Sequence, residues 1–344
     1  MNTGEVRGLL TRAAALRAGA FSPVDDSLAN ATVATLFLEN STRTRTSFQL
    51  AATRLGAEVV DLSGSGLSVS KGETLADTAR TIEAMGVDAI VVRASQSGAP
   101  HVIADAVGCG VVNAGDGRHE HPTQGLLDAL ALAQARGLAE GGPGGFDFKG
   151  LTYAIVGDIA ASRVARSDIA IMTALGADVL LVGPLAMVPG GLSALNETAN
   201  AGSVRIERDL DEALAQADAV QMLRVQFERH GGRGIASKRE YRAGYALTVE
   251  RAKRMKDGAV VMHPGPMNRG LEIDDAVADG LGAEGGLGEG VGLPRSIVLD
   301  QVSAGLPVRM AVIERAVRGL GQGVELGAGL GMELSGGVSG GTNR

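Results

Sequence analysis

Short β-branched apolar runs alternate with longer stretches of helical spacing from about residue 30 to residue 318. In the first half, Thr32–Leu38, Glu58–Leu62, Val87–Arg93 and Gly110–Asn113 read as strands, dense enough in apolar residues to be buried. Between them, Arg43–Leu55, Thr74–Met85 and Pro122–Arg136 read as helices. In the first of these, Phe48, Ala51, Ala52 and Leu55 recur at helical spacing and Gly56 supplies the stop. A second series places strands at Leu151–Val156, Ala177–Val182, Ala219–Leu223 and Ala259–Met262, with helices between them. Such alternation predicts parallel sheets and an α/β fold. Six glycines and a proline in Gly137–Gly150 predict a surface loop or hinge between two domains. Ser296–Arg318 predicts one or two closing helices, Gly280–Gly292 a glycine-rich insertion, and Gly319–Arg344, with ten glycines, a mobile tail.

The chain has 344 residues, 45% hydrophobic and 21% charged, which is enough for two domains with cores of their own. A net charge of −7 and the lack of a basic block exclude a general nucleic-acid binder. Cys109 is the only cysteine, so no intrachain disulfide forms, which fits a reducing, cytoplasmic compartment. No signal-peptide core opens the chain and no apolar stretch reaches about 18 residues, so neither secretion nor a membrane span is expected. Three motifs fail on inspection. Gly64–Gly72 lacks the Gly-Lys-Ser/Thr of a phosphate loop, Val156-Gly157-Asp158 lacks a dinucleotide fingerprint, and His119-Glu-His121 lacks further metal ligands. Neither a cofactor nor a metal is expected.

The informative polar residues gather at the carboxyl ends of the expected strands, where open parallel sheets bind ligands. Ser41-Thr-Arg-Thr-Arg45 lies where a strand hands over to a helix, so free backbone N–H groups and the helix dipole already favour an anion there. Arg43 and Arg45 add guanidinium donors, and Ser41, Thr42 and Thr44 add hydroxyls. That is more than a helix cap requires and points to a phosphate-type ligand. Arg93 ends a strand and His121 opens a helix, while Arg163, Arg224 and Pro264–Pro266 follow strands of the second half. One cleft between two α/β domains would collect them all. Taken singly, Arg93 also fits a solvated strand end, His121 an ordinary helix start, and Arg166 competes with Arg163. Arg224 and Gln226 have the same parity and share a face if the strand continues through them.

Ser41–Arg45, His121-Pro-Thr-Gln124, Met222–Arg229 and His263–Gly270 occur in order, with Lys71-Gly-Glu-Thr and Asn113–Gly117 also in place. Over about residues 30 to 318 the chain resembles the aspartate/ornithine carbamoyltransferase family, and specifically its aspartate branch. The resemblance implies two α/β domains, each with a mostly parallel sheet flanked by helices. Residues 1–137 would bind carbamoyl phosphate, completed by a C-terminal helix near 297–318 that packs back on them; residues 138–296 would bind aspartate, and 319–344 would form a flexible tail. It also implies transfer of a carbamoyl group from carbamoyl phosphate to the L-aspartate amine, an early step of pyrimidine synthesis, by a homotrimer with shared sites. Larger assemblies with regulatory or dihydroorotase subunits are compatible with that.

Carried over position by position, the resemblance puts the phosphate on Ser41, Thr42, Arg43, Thr44 and Arg93, and the carbamoyl oxygen on Thr44, Arg93 and His121. Gln124 and the Gly265–Pro266 backbone would hold the carbamoyl amide; Arg163, Arg224, Gln226 and Lys71 would hold aspartate. Lys71 and Ser68 would arrive from a neighbouring subunit, and Glu39 would tie Arg163 across the cleft. Thr44, Lys71, Arg93 and His121 are the catalytic candidates. Leu38 stands where the family often has an aromatic, and Gln49 where it often has Glu, both off the expected contacts. The rivals are a sister enzyme acting on ornithine or another amine, and a non-catalytic scaffold. Against the first, His263-Pro-Gly-Pro266 replaces the His-Cys-Leu-Pro of ornithine enzymes.

Overall fold

The computed structural model describes residues 1–19, 26–63, 72–139, 145–197, 202–225, 237–280 and 292–319. After helix α1 (Thr3–Gly19), the first domain alternates β1 (Thr32–Phe37), α2 (Thr42–Arg54), β2 (Glu58–Ser63), α3 (Leu75–Ala84), β3 (Ala89–Ala94), α4 (Ala99–Ala104), β4 (Gly110–Asp116) and α5 (Pro122–Ala135). Its four strands form a wholly parallel sheet in the order β2-β1-β3-β4. The second domain continues with β5 (Thr152–Val156), α6 (Arg163–Ala174), β6 (Asp178–Val182), β7 (Val204–Glu207), α7 (Leu210–Gln216), β8 (Ala219–Met222), α8 (Lys238–Tyr245) and α9 (Val249–Ala252). It closes with β9 (Val260–Met262), α10 (Asp275–Ala278) and β10 (Arg295–Ser296), before α11 (Val298–Arg318) returns to the first domain. The six-stranded sheet, order β10-β9-β8-β5-β6-β7, is parallel throughout.

Strand alternation sends apolar side chains to both faces, so each sheet needs helices on both sides. In β1, Val33 and Phe37 enter the large core while Ala34 and Leu36 enter a smaller one beneath α3 and α4. In β5, Tyr153 and Ile155 join that same large core while Ala154 and Val156 face a separate cluster. One apolar core therefore runs through the junction of the two domains. Helix α5 lies at its centre, with every residue from Pro122 to Ala133 buried, and packs on α1, α6 and α11. Helix α11 packs on α1, α2 and α5.

The α5–α6 crossing depends on a missing side chain. A Cβ on Gly125 would stand 2.8 Å from Ile171 Cδ1 and 2.9 Å from the Ser167 carbonyl oxygen. Gly125→Val is expected to force the helices apart and cost about 1–3 kcal/mol of overpacking, read as a lowered thermal midpoint.

Several elements differ from the sequence expectation. The predicted surface loop at 137–150 carries Phe146 and Phe148, both wholly buried, because the apolar core takes these rings despite the glycines around them. Helix α1 and the short elements α4, β7 and β10 had no clear periodic signal, and α1 forms because Val6, Leu10 and Ala13 reach the core beside α11. Ser296–Arg318 yields a single helix that continues through Pro307. Residues 64–71, 281–291 and 320–344, which include most of the Ser63–Gly72 loop, the insertion and the tail, lie outside the described residues. Among the described residues no helix is long and apolar enough to cross a membrane.

Candidate active site

A cavity of about 600 Å³ opens at the carboxyl ends of both sheets. The first domain contributes Glu39–Thr44, Ser47, Arg93, Gly117, His121, Gln124 and Leu127. The second contributes Asp158, Ala161–Val164, Leu223, Arg224 and His263–Pro266, and α11 adds Gln301, Val302 and Arg309. Five arginines thus face two carboxylates, Glu39 and Asp158, in a chain that is acidic overall. Such a surplus of cations in a concave site draws anions and concentrates them.

Helix α2 begins at the cavity wall. Ser41 occupies its N-cap position but its side chain makes no capping hydrogen bond, so the first-turn N–H groups remain for a ligand. Arg43 and Thr44 line the cavity, whereas Arg45 pairs with Asp61 of β2 at 3.9 Å. Both arginines were expected to serve the anion. Two residues apart on a helix they point to different sides, and only Arg43 does.

Glu39 joins the two domains. Its Oε1 accepts from Arg93 Nε at 2.5 Å and from Arg163 Nη2 at 2.7 Å. Arg93 Nη1 also donates to the Ala114 carbonyl at 2.8 Å, and Arg163 Nη1 to the Gly117 carbonyl at 3.3 Å. Gly115, at φ 114°, makes room for both: a Cβ there would lie 2.7 Å from Arg93 Nη1 and 3.3 Å from Arg163 Nε. Buried Asp116 shapes this turn by accepting from Asn113 Nδ2, Gly98 N–H and Glu120 N–H. Burial opposes its ionisation, but those bonds and His119 hold its pKa below the usual carboxylate value.

His121 occupies the N-cap position of α5, its backbone N–H bonded to Ser167 Oγ at 2.9 Å and its Nε2 3.5 Å from Arg93 Nη1. Burial, reinforced by Arg93, Arg309 and Arg163, pushes its pKa far down, so the ring is neutral at physiological pH. A neutral imidazole offers one donor and one acceptor. His263 is also buried and shifted downward, and its Nδ1 accepts from the Gly265 N–H at 2.8 Å, shaping the loop that brings Gly265 and Pro266 to the cavity.

Residues 1–134 match the carbamoyl phosphate-binding domain of aspartate/ornithine carbamoyltransferases, and residues 149–315 match the Asp/Orn-binding domain. The chain belongs to the aspartate/ornithine carbamoyltransferase family. It is 48% identical over 310 residues to the aspartate carbamoyltransferase catalytic subunit of Myxococcus xanthus, covering 90% of this chain and 94% of that one. Among solved structures it is similar to the Trypanosoma cruzi aspartate transcarbamoylase in complex with carbamoyl phosphate and aspartate. There the TM-score is 0.76 and the identity 28%, over 91% of this chain and 93% of that one. An ornithine carbamoyltransferase from Gloeobacter violaceus matches with a TM-score of 0.71 and 27% identity, over 92% and 95%.

Of the residues expected from the carbamoyltransferase resemblance, Glu39, Ser41, Thr42, Arg43, Thr44, Arg93, His121, Gln124, Arg163, Arg224, Gly265 and Pro266 meet in this one cavity. Ser68, Lys71 and Gln226 lie outside the described residues. Arg224 lies on the loop just beyond β8, which ends at Met222. The competitor Arg166 does not line the cavity, while Arg163 does.

Sequence reasoning missed a buried layer behind the site. Arg309 projects from α11, donates to Ser47 Oγ at 2.8 Å and lies 5.2 Å over the Phe48 ring. Burial and the charge of Arg93 push its pKa down to about 10, which leaves it a cation at neutral pH. Asp128 and Asp168, both fully buried, share a network with Gln124, Gln221 and Gln301. Lone polar residues inside the apolar runs Leu126–Ala133 and Leu306–Ile313 were the available signal.

Burial, then the Asp128 charge, pushes Asp168 well above the usual carboxylate range, and burial raises Asp128 to about 6. The native pair therefore holds protons that the unfolded chain releases above about pH 4, so it withdraws stability as pH rises through the native values. Asp168→Asn is expected to raise the thermal midpoint more at pH 8 than at pH 5, as followed by calorimetry.

Proposed function

We propose that the protein transfers the carbamoyl group of carbamoyl phosphate to the amine of L-aspartate, giving N-carbamoyl-L-aspartate and phosphate. The observation that carries this reading is the convergence of five arginines from both domains and α11 on one cavity lined by a helix N-terminus. Phosphate sits on the α2 N-terminus with Ser41, Thr42, Arg43, Thr44 and Arg93. Thr44, Arg93 and His121 face the carbamoyl oxygen, which gains negative charge as the amine attacks, so they act as an oxyanion hole. Gln124 and the Gly265–Pro266 backbone take the carbamoyl amide.

Arg163 and Arg224, with Gln226, bind the two aspartate carboxylates, guanidinium forks being suited to bidentate pairing. The new N–C bond forms as the C–O bond to phosphate breaks, and the departing phosphate accepts the amine proton. No covalent intermediate is required, so proximity and charge stabilisation carry the rate. Ornithine fits less well. With one of its two amines reacting, its second, ammonium group would meet Arg163 and Arg224, and Glu39 is already held by two guanidiniums.

The reading includes a homotrimer in which Ser68 and Lys71 enter from a neighbouring copy, and a cytoplasmic role in pyrimidine synthesis, supported by family membership and a lone thiol in the chain. It divides the domains near residues 137 and 138. Incubation with carbamoyl phosphate and either aspartate or ornithine, reading phosphate and ureido product, tests the activity. Turnover of ornithine alone would overturn the substrate, and turnover of neither would favour a scaffold. Mixing Lys71→Ala with Arg93→Ala subunits tests the shared site; no recovery of activity in the hybrids would refute it.

A further inference from the structure

We propose that Asp128, outside the cavity lining, fixes which end of the Gln124 amide faces the substrate, and so makes the site select a carbamoyl over an acetyl phosphate. The proposal rests on the reading above that Gln124 meets the carbamoyl amide. A glutamine amide has an accepting and a donating end that look alike in shape, so only its partners assign them.

Here the assignment starts from an unambiguous donor. The backbone N–H of His263 donates to Gln301 Oε1 at 2.9 Å, which fixes Gln301 Nε2 as the opposite end. That nitrogen donates to Asp128 Oδ1 at 2.6 Å, so Oδ1 is an acceptor. Gln124 presents its other amide end to the same oxygen at 2.9 Å, and that end is therefore Nε2. On the far side, Asp128 Oδ2 accepts from Gln221 Nε2 at 2.9 Å.

Gln124 is buried and lines the cavity, and among the described residues its Oε1 takes no hydrogen bond. With its nitrogen committed to Asp128, the group shown to the cavity is an acceptor. A carbamoyl NH₂ can donate to it; the methyl of an acetyl group cannot, and leaves a buried oxygen unsatisfied. The order of elements is α11 to α5 to substrate, anchored on the backbone of the loop that carries Pro266. Asp128 is thus a positioning residue, acting through Gln124.

The test is the ratio of the acetyl phosphate inhibition constant to the carbamoyl phosphate dissociation constant in the full-length protein. Asp128→Ala and Asp128→Leu are both expected to lower this ratio by about tenfold, the effect of one neutral hydrogen bond, as is Gln124→Leu. Gln221→Leu, which disturbs the same network without touching Oδ1, is expected to leave it within twofold. Folded Asp128 variants with the wild-type ratio, alongside a lowered ratio in Gln124→Leu, would overturn the proposal and spare the reading of Gln124. An unchanged ratio in Gln124→Leu would overturn both. Failure of both Asp128 variants to fold would assign the carboxylate to stability and overturn the positioning role.

Discussion

Replacing Arg93 by alanine is expected to lower kcat/KM for N-carbamoyl-L-aspartate formation by about 10³-fold, the upper end of what a single oxyanion donor supplies. The upper end is chosen because this side chain does three things. It faces the cavity, it stands 3.5 Å from His121 Nε2, and it shares Glu39 Oε1 with Arg163. Stability should change little, since Glu39 keeps Arg163 at 2.7 Å and no carboxylate is left buried without a cation. Initial rates at saturating aspartate, with a thermal melt on the same sample, check both halves. A loss below tenfold with an unchanged melt would remove Arg93 from the oxyanion site.

The second large effect is expected at Arg309. Arg309→Met keeps most of the volume and removes the charge from the inner wall of the cavity. The expected result is a loss of about 10² in kcat/KM, with weaker inhibition by inorganic phosphate, because the cation lines the same cavity as Arg43 and Arg93, where the proposed function puts the anionic ligand. Exchanging a buried cation for an apolar side chain is often neutral or stabilising, and the lost contact with Phe48 is worth about 1 kcal/mol. The thermal midpoint should therefore stay within a few degrees. A collapse of the melt with retained activity per folded molecule would make Arg309 structural instead.

The candidate anion site was legible because its signal is local. Five residues, Ser41–Arg45, lie between an apolar strand and an amphipathic helix, and any such junction presents N–H groups to solvent or ligand. The same local signal overcounted, since Arg45 turns toward Asp61 and helical rotation by two residues was the deciding fact. Gly137–Gly150 misled in the opposite sense: glycine content announced a surface loop, while two phenylalanines in it are wholly buried. Composition reports average exposure, and two aromatic rings can decide where a segment lies. Arg224 was expected just beyond a strand, and pairing with β5 and β9 does end before it is reached.

By itself the sequence determined the class of fold, a set of polar residues most of which meet in one cavity, and the family in which that set occurs. These follow from periodicity and from motifs whose members are a few positions apart. Tertiary structure decided what meets what. Glu39 and Arg163 are separated by 124 positions, Ser47 and Arg309 by 262, and Asp128 and Gln301 by 173. Strand order and the return of α11 to the first domain bring them together, and no local pattern encodes either. Burial then changes their chemistry, keeping His121 neutral, lowering the Arg309 pKa and raising those of Asp128 and Asp168, because removal from water penalises charge wherever a partner does not restore it.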